Sequence, residues 1–165
     1  MKIMNELEIN EWLKSHGFPA LSKTALQSHF PFSARFTPST DSGVRRALAR
    51  DLNNFESNHD VLLVITAFGI WPSAQNMHLF EMIRSAMKEI RAIYETPGHL
   101  AISADEREDL EAVLCLCLYF FWDFYLIDAQ AHIMVRASHD NYFVVYSLDK
   151  NVILEYESTF REFET

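Results

Sequence analysis

From Ala112 to Ser147 the chain reads AVLCLCLYFFWDFYLIDAQAHIMVRASHDNYFVVYS, an apolar and aromatic stretch interrupted only by single polar residues and short polar turns. Nothing else in the sequence restricts the fold as strongly. Leu110, Leu114, Cys117, Leu118 and Phe121 recur at helical spacing, so the stretch opens on one face of a helix. An aromatic strand over Phe120 to Asp128 follows, then two alternating strands over Ala131 to Ala137 and Tyr142 to Ser147. Ala129-Gln130 and Ser138-His139-Asp140-Asn141 join them as turns, since Asp and Asn tolerate unusual backbone angles. The expectation is an antiparallel meander. The longest apolar run, Ala112 to Ile127, falls short of the roughly 20 residues a membrane-spanning helix needs and carries Asp123, so no membrane partner is expected.

Upstream, Asn5 to Ser15 predicts a first helix with Leu7, Ile9, Trp12 and Leu13 on one side and Gly17 as its stop. Phe18 to Thr40 carries Pro19, Pro31 and Pro38 among scattered Phe and reads as a strap laid against the body. Asp41 or Ser42 caps a second helix reaching about Glu56, with Arg45, Arg46 and Arg50 opposite its apolar side. Asp60 to Ile70 is a nearly unbroken apolar run, the pattern of a central strand covered on both faces, and Trp71-Pro72 stops it. Ser73 to Tyr94 predicts a long helix, Thr96-Pro97-Gly98-His99 a turn, and Ser103 with Glu106 a capping box that opens a further helix near Ala104. Lys150 to Phe163 closes the chain as a helix. Together these give an α+β fold, a mostly antiparallel sheet of about four strands with helices packed on one face. At 165 residues the chain fits one domain, 1-165, made of a helical part to residue 57 and an α+β body from 58 onward.

Charge is placed unevenly. The formal net charge is -9. Up to Ser57 there are 7 basic against 6 acidic residues, and from Asn58 onward 7 against 17. Such a surface repels phosphate backbones and anionic lipid and steers in a basic protein, so direct nucleic-acid binding is not expected. The two cysteines, Cys115 and Cys117, sit in an apolar run and point to nearly opposite sides of a helix, which fits a reducing compartment. With no basic, apolar leader after Met1, the expected location is cytoplasmic.

No established catalytic signature is present. His139-Asp140 is a candidate acid-base pair, although adjacent residues in a turn seldom point at each other. His99, His132 and His139 lack the short spacings of zinc sites, so no metal and no cofactor are expected. Asp123 interrupts an apolar strand and calls for a partner, for which an arginine is the expected choice. Asp105, Glu106, Glu108, Asp109 and Glu111 suit the positive end of a helix dipole and also suit docking to a basic cleft.

The run PGHL at Pro97 to Leu100, the acidic helix start, WDFYLI at Trp122 to Ile127 and SHDNYFVVYS at Ser138 to Ser147 resemble small bacterial immunity proteins of polymorphic-toxin and contact-dependent growth inhibition systems. The likeness covers Asp60 onward and is one of pattern. It implies a non-enzymatic antitoxin that binds one cognate basic toxin domain, of nuclease type, and blocks it. That family has no shared catalytic residue to carry over. The corresponding contact set is Asp105, Glu106, Glu108, Asp109 and Glu111 with Trp122, Asp128 and Asp140. The alternative is a small enzyme or ligand-binding domain with a pocket between sheet and helices built on His132, His139 and Asp140. A third reading is an adaptor subunit or homodimer acting through the apolar strap; on the first reading the chain is expected to be a monomer or weak homodimer.

Overall fold

In the computed structural model, residues 1–54, 59–69 and 74–164 are described. Among them, seven strands form one antiparallel sheet. In chain order they are β1 (Lys2–Met4), β2 (Phe32–Phe36), β3 (Val61–Ala67), β4 (Gly98–Ala101), β5 (Asp123–Asp128), β6 (Ile133–Ser138) and β7 (Tyr142–Ser147), arranged β1-β4-β3-β5-β6-β7-β2. The helices are α1 (Glu6–Ser15), α2 (Lys23–His29), α3 (Ser42–Asn53), α4 (Ala74–Ala86), α5 (Ala104–Tyr119) and α6 (Lys150–Phe160), with 3-10 turns at Ile93–Glu95 and Arg161–Phe163. The α+β class and the β5-β6-β7 meander stand as expected. The sheet is larger than the expected four strands.

The three additional strands explain the difference. β1 and β2, both from the part expected to be helical, close the two edges of the sheet. Short edge strands suit that role because they offer little free backbone for unwanted pairing, and β2 lies between Pro31 and Pro38. The strap is thus in part a strand and in part α2. Gly98-His99, expected in a turn, starts β4, where Gly98 pairs with Met4 on one side and Val64 on the other. A Cβ on Gly98 would sit 2.8 Å from the Ile9 side chain, so glycine is what lets α1 lie this close to the sheet. The helix expected over Ser73 to Tyr94 ends earlier, at Ala86, and Lys88 follows with a positive φ. The expected helix end at Phe55-Glu56 and the Ile70 to Ser73 segment, Trp71-Pro72 included, lie outside the described residues.

Helices cover both faces of the sheet, not one. β3 requires this, because Val61 to Ile65 are all buried and consecutive residues point to opposite faces. One face meets Leu48, Leu52, Phe80, Leu110, Leu114 and Phe160 from α3, α4, α5 and α6. The other meets Ile9, Trp12, Leu13 and Leu26 from α1 and α2, which lie over Leu62, Leu100, Ile127, Met134 and Tyr146.

Three arginines are buried: Arg45, Arg84 and Arg107. Each guanidinium is satisfied largely by main-chain carbonyls. Arg45 donates to the Leu118 carbonyl in the last turn of α5 and to Asn141 Oδ1 at 3.0 Å. Arg107 donates to the carbonyls of Asn53, at the end of α3, and His59, at 3.0 and 2.8 Å. Arg84 donates to those of Arg91 and Thr96, both at 3.0 Å. A cation at a helix C-terminus complements the unpaired carbonyls and the negative end of the dipole. Arg45, expected on an outer basic side of α3, therefore acts as an interior clamp. Its guanidinium also stacks 3.9 Å above Phe121, which holds a positive φ of 54° where a helix end usually has glycine.

Replacing Arg45 with methionine keeps much of the side-chain volume but strands the Leu118 carbonyl and the Asn141 amide. The expected loss is about 2–3 kcal/mol of stability, read from urea unfolding. An unchanged midpoint would show that the α5 terminus holds without the clamp.

Candidate functional site

Of the expected contact set, Asp105, Glu108 and Asp109 on α5 and Asp140 in the β6-β7 hairpin are exposed. α5 buries Arg107, Leu110, Val113, Leu114, Cys117 and Leu118, while Asp105, Glu108 and Asp109 are exposed on its outer side with Ala112 continuing the stripe. The i, i+3, i+4, i+7 spacing places these four on one face. Further along lie the partly exposed Leu116 and the exposed Tyr119, so this side passes from carboxylates to apolar groups. Among the described residues, none of Asp105, Glu108 and Asp109 makes an ion pair. Glu111 is half-buried. Glu106 is committed to the fold: it forms the capping box with Ser103, accepts from the Ile102 N–H at 2.8 Å, and pairs with the Met1 amino group at 2.7 Å.

Trp122 and Asp128 are 1% and 0% exposed, which removes both from any contact surface of the folded chain. Trp122 packs edge-on to Phe68 and Phe80, with ring centroids 4.8 and 5.3 Å away. Asp140 is exposed in the β6-β7 hairpin. That hairpin lies toward the C-terminal end of α5, separated from the acidic stripe by most of the helix, roughly 20 Å.

The expected pocket of His132, His139 and Asp140 does not assemble. His132 lies in the β5-β6 turn and His139 in the β6-β7 turn, at opposite ends of β6. His132 is exposed, and its ring is 5.9 Å from that of Phe18. His139 Nε2 stands 3.7 Å from Asp140 Oδ1, whereas its Nδ1 lies 2.9 Å from Asp123 Oδ1. The partner of Asp123 is therefore a histidine and not an arginine. The same Asp123 oxygen accepts the His139 backbone N–H at 2.6 Å.

A second histidine-aspartate pair, which the sequence did not single out, sits at the other end of β5. Asp128 Oδ2 bonds His59 Nδ1 at 3.0 Å, and its Oδ1 accepts the N–H groups of Gln130 and Ala131 at 2.9 and 2.8 Å. The two aspartates that bound β5 thus do the same work, each holding an adjacent turn through backbone N–H groups while binding an imidazole. A cleft of about 640 Å³ opens beside His59 and Asp128, with Asp51, Gln130, Glu155 and Tyr156 on its walls. Both oxygens of Asp128 are engaged, so its geometry is that of a turn lock. No group of three or more potential ligands positioned to hold a metal occurs among the described residues.

His99 is fully buried against Phe80, with ring centroids 5.5 Å apart, and among the described residues neither ring nitrogen has a partner of good hydrogen-bond geometry. Burial, with the Arg84 guanidinium nearby, holds its pKa down to about 3. Cys117 is likewise buried, which pushes its thiol pKa well up and leaves it a poor nucleophile. Neither has a catalytic setting.

Because the unfolded chain protonates His99 near the ordinary imidazole value of 6.5 and the folded chain only near 3, stability is unaffected well above pH 6.5 and falls as the pH drops below it. The expected slope from this group is about 1.4 kcal/mol per pH unit, or about 2 kcal/mol between pH 6.5 and 5. Parallel denaturation series on the native chain and His99→Leu should diverge by that amount over this interval. Superimposable pH profiles would mean that His99 is protonated in the folded state.

Searches against protein-family models, curated proteins and solved structures find no match to this chain.

Proposed function

We propose that this chain is a non-enzymatic binding protein that neutralises a basic protein partner, an immunity protein acting on a cognate toxin domain, by docking through the outer side of α5. The observation that carries the reading is the exposed stripe of Asp105, Glu108 and Asp109, unpaired among the described residues and continued by Ala112, Leu116 and Tyr119. Carboxylates on a rigid helix steer a cationic partner and set its orientation, while neighbouring apolar groups supply the area that water must leave. Ile102, 53% exposed just before the helix, extends the apolar rim. The formal charge of -9 favours the same class of partner. Glu111, half-buried, borders the stripe. Inhibition of this kind needs no chemistry from the chain, which accords with histidine-aspartate pairs that serve turns and thiols that are partly or wholly buried.

The test is to inspect the genes on either side of this one and to coexpress the chain with any toxin-domain gene found there. The native chain should restore growth, and the triple change Asp105→Lys, Glu108→Lys and Asp109→Lys should abolish protection while leaving the melting temperature within a few degrees, since surface changes cost little. Purified partners should also associate more weakly as salt is raised. Growth that fails to recover with the native chain, or recovers equally with the triple variant, would remove the basis for this function.

A further inference from the structure

The sheet face under α1 and α2 is only partly covered. Across it, paired residues fall into rows. Ser33, Tyr146, Met134, Ile127 and Leu62 form one row, and the two helices lie over it. The next row reads Arg35, Val144, Arg136, Tyr125 and Val64, and beyond it come Tyr142, Ser138 and Asp123. Here Arg35 is exposed, and Val144, Arg136 and Tyr142 are half-buried. In an acidic protein, this region carries two arginines separated by a single strand.

Their surroundings differ from those of the buried arginines. The Arg35 guanidinium lies 3.9 Å above the Tyr142 ring, and that of Arg136 lies 5.7 Å from the same ring. Among the described residues, neither forms an ion pair with a carboxylate. Two like charges are therefore held about one ring by cation–π attraction, roughly 10 Å apart at the backbone, with Arg35 exposed and Arg136 half-buried beside the hydroxyls of Tyr125, Tyr142 and Tyr146. Beside Arg136 a cleft of about 290 Å³ runs between the sheet and the segment joining α1 to α2, lined by Leu21, Ser22, Thr66, Asp123, Tyr125 and Arg136. Asp123, which already holds His139, marks the rim away from Arg35.

The geometry points to a second docking surface, on the face of the sheet opposite α5, that receives an acidic polypeptide segment with a carboxylate seated between Arg35 and Arg136 above Val144. Arginine and tyrosine are the residues that dominate binding energy at protein interfaces, and this surface presents both together. Fork-shaped guanidinium groups match a carboxylate with two parallel hydrogen bonds. The neighbouring cleft has room for an adjoining side chain of the segment. A nucleic acid has the same sign of charge, but its long phosphate chain would be repelled by a protein of net charge -9, whereas a peptide carries its charge at a few points. The surface is independent of the α5 stripe, so either can fail without the other.

The experiment follows the arginine Nε–Hε signals of the full chain by NMR during titration with three probes: a heptaglutamate peptide, inorganic phosphate and a ten-nucleotide oligothymidylate. The peptide should shift the Arg35 and Arg136 signals, and Arg35→Gln or Arg136→Gln should each weaken binding about tenfold, as expected for loss of a charge-assisted hydrogen bond. Arg35 is exposed, so Arg35→Gln carries the test even if Arg136→Gln fails to fold. The triple charge reversal on α5 should leave peptide binding undiminished. Tighter binding of phosphate or of the oligonucleotide at the same signals would overturn the acidic-peptide assignment. So would an absence of shifts with every probe, or peptide binding that Arg35→Gln leaves unchanged.

Discussion

The pairing of β3 with β5 is the constraint on which everything else depends. Val61 to Ile65 run antiparallel to Phe124 to Asp128, and nearly every side chain of both segments is buried, on alternating faces. A strand pair of this kind cannot remain half-covered without leaving apolar surface in water. One layer of helices therefore has to come from α3 to α6 and another from α1 and α2. The first layer is the larger and carries the acidic stripe on its outside. The second is small and leaves the arginine-tyrosine region open.

The buried arginines and the two aspartates of β5 follow one rule. The buried arginines find main-chain carbonyls, and the aspartates at the two ends of β5 find backbone N–H groups and imidazoles. Main-chain partners are fixed by the fold itself, so these contacts tie helix ends and turns to the core without committing surface carboxylates. Glu89 and Arg91 are a local exception near the surface. Their close pair lowers the Glu89 carboxyl to about 2, and Arg91 also donates to the Ile3 carbonyl at 2.9 Å, fastening β1 to the loop after α4.

Two charged surfaces lie on opposite sides of the sheet. The exposed carboxylates of Asp105, Glu108 and Asp109 lie outside α5, and Arg35 and Arg136 lie on the far side of the sheet. Between them is a packed interior that holds His99 and Cys117 away from solvent. On the proposed function, the molecule would work by presenting these surfaces.

Local patterns were enough to read the elements whose signals are contained in a few neighbouring residues. The Ser103-Glu106 box, the helical period of α5, the alternation of β6 and β7, and the Asp41 cap depend only on residues within a turn or two, and each lies where those patterns put it. The exposed stripe of Asp105, Glu108 and Asp109 was legible for the same reason. What tertiary structure alone decided were matters of distant pairing. β1 has three residues, too few for a period. β2 lies between prolines that look like a loop, and Gly98-His99 resembles a turn until Met4 and Val64 are brought to either side of it. The fates of Trp122 and Asp128, the choice of His139 over an arginine for Asp123, and the meeting of Arg35 with Arg136 across β7 all join residues far apart in the chain. A linear sequence records which side chains can interact, but only strand register and layer packing determine which of them meet.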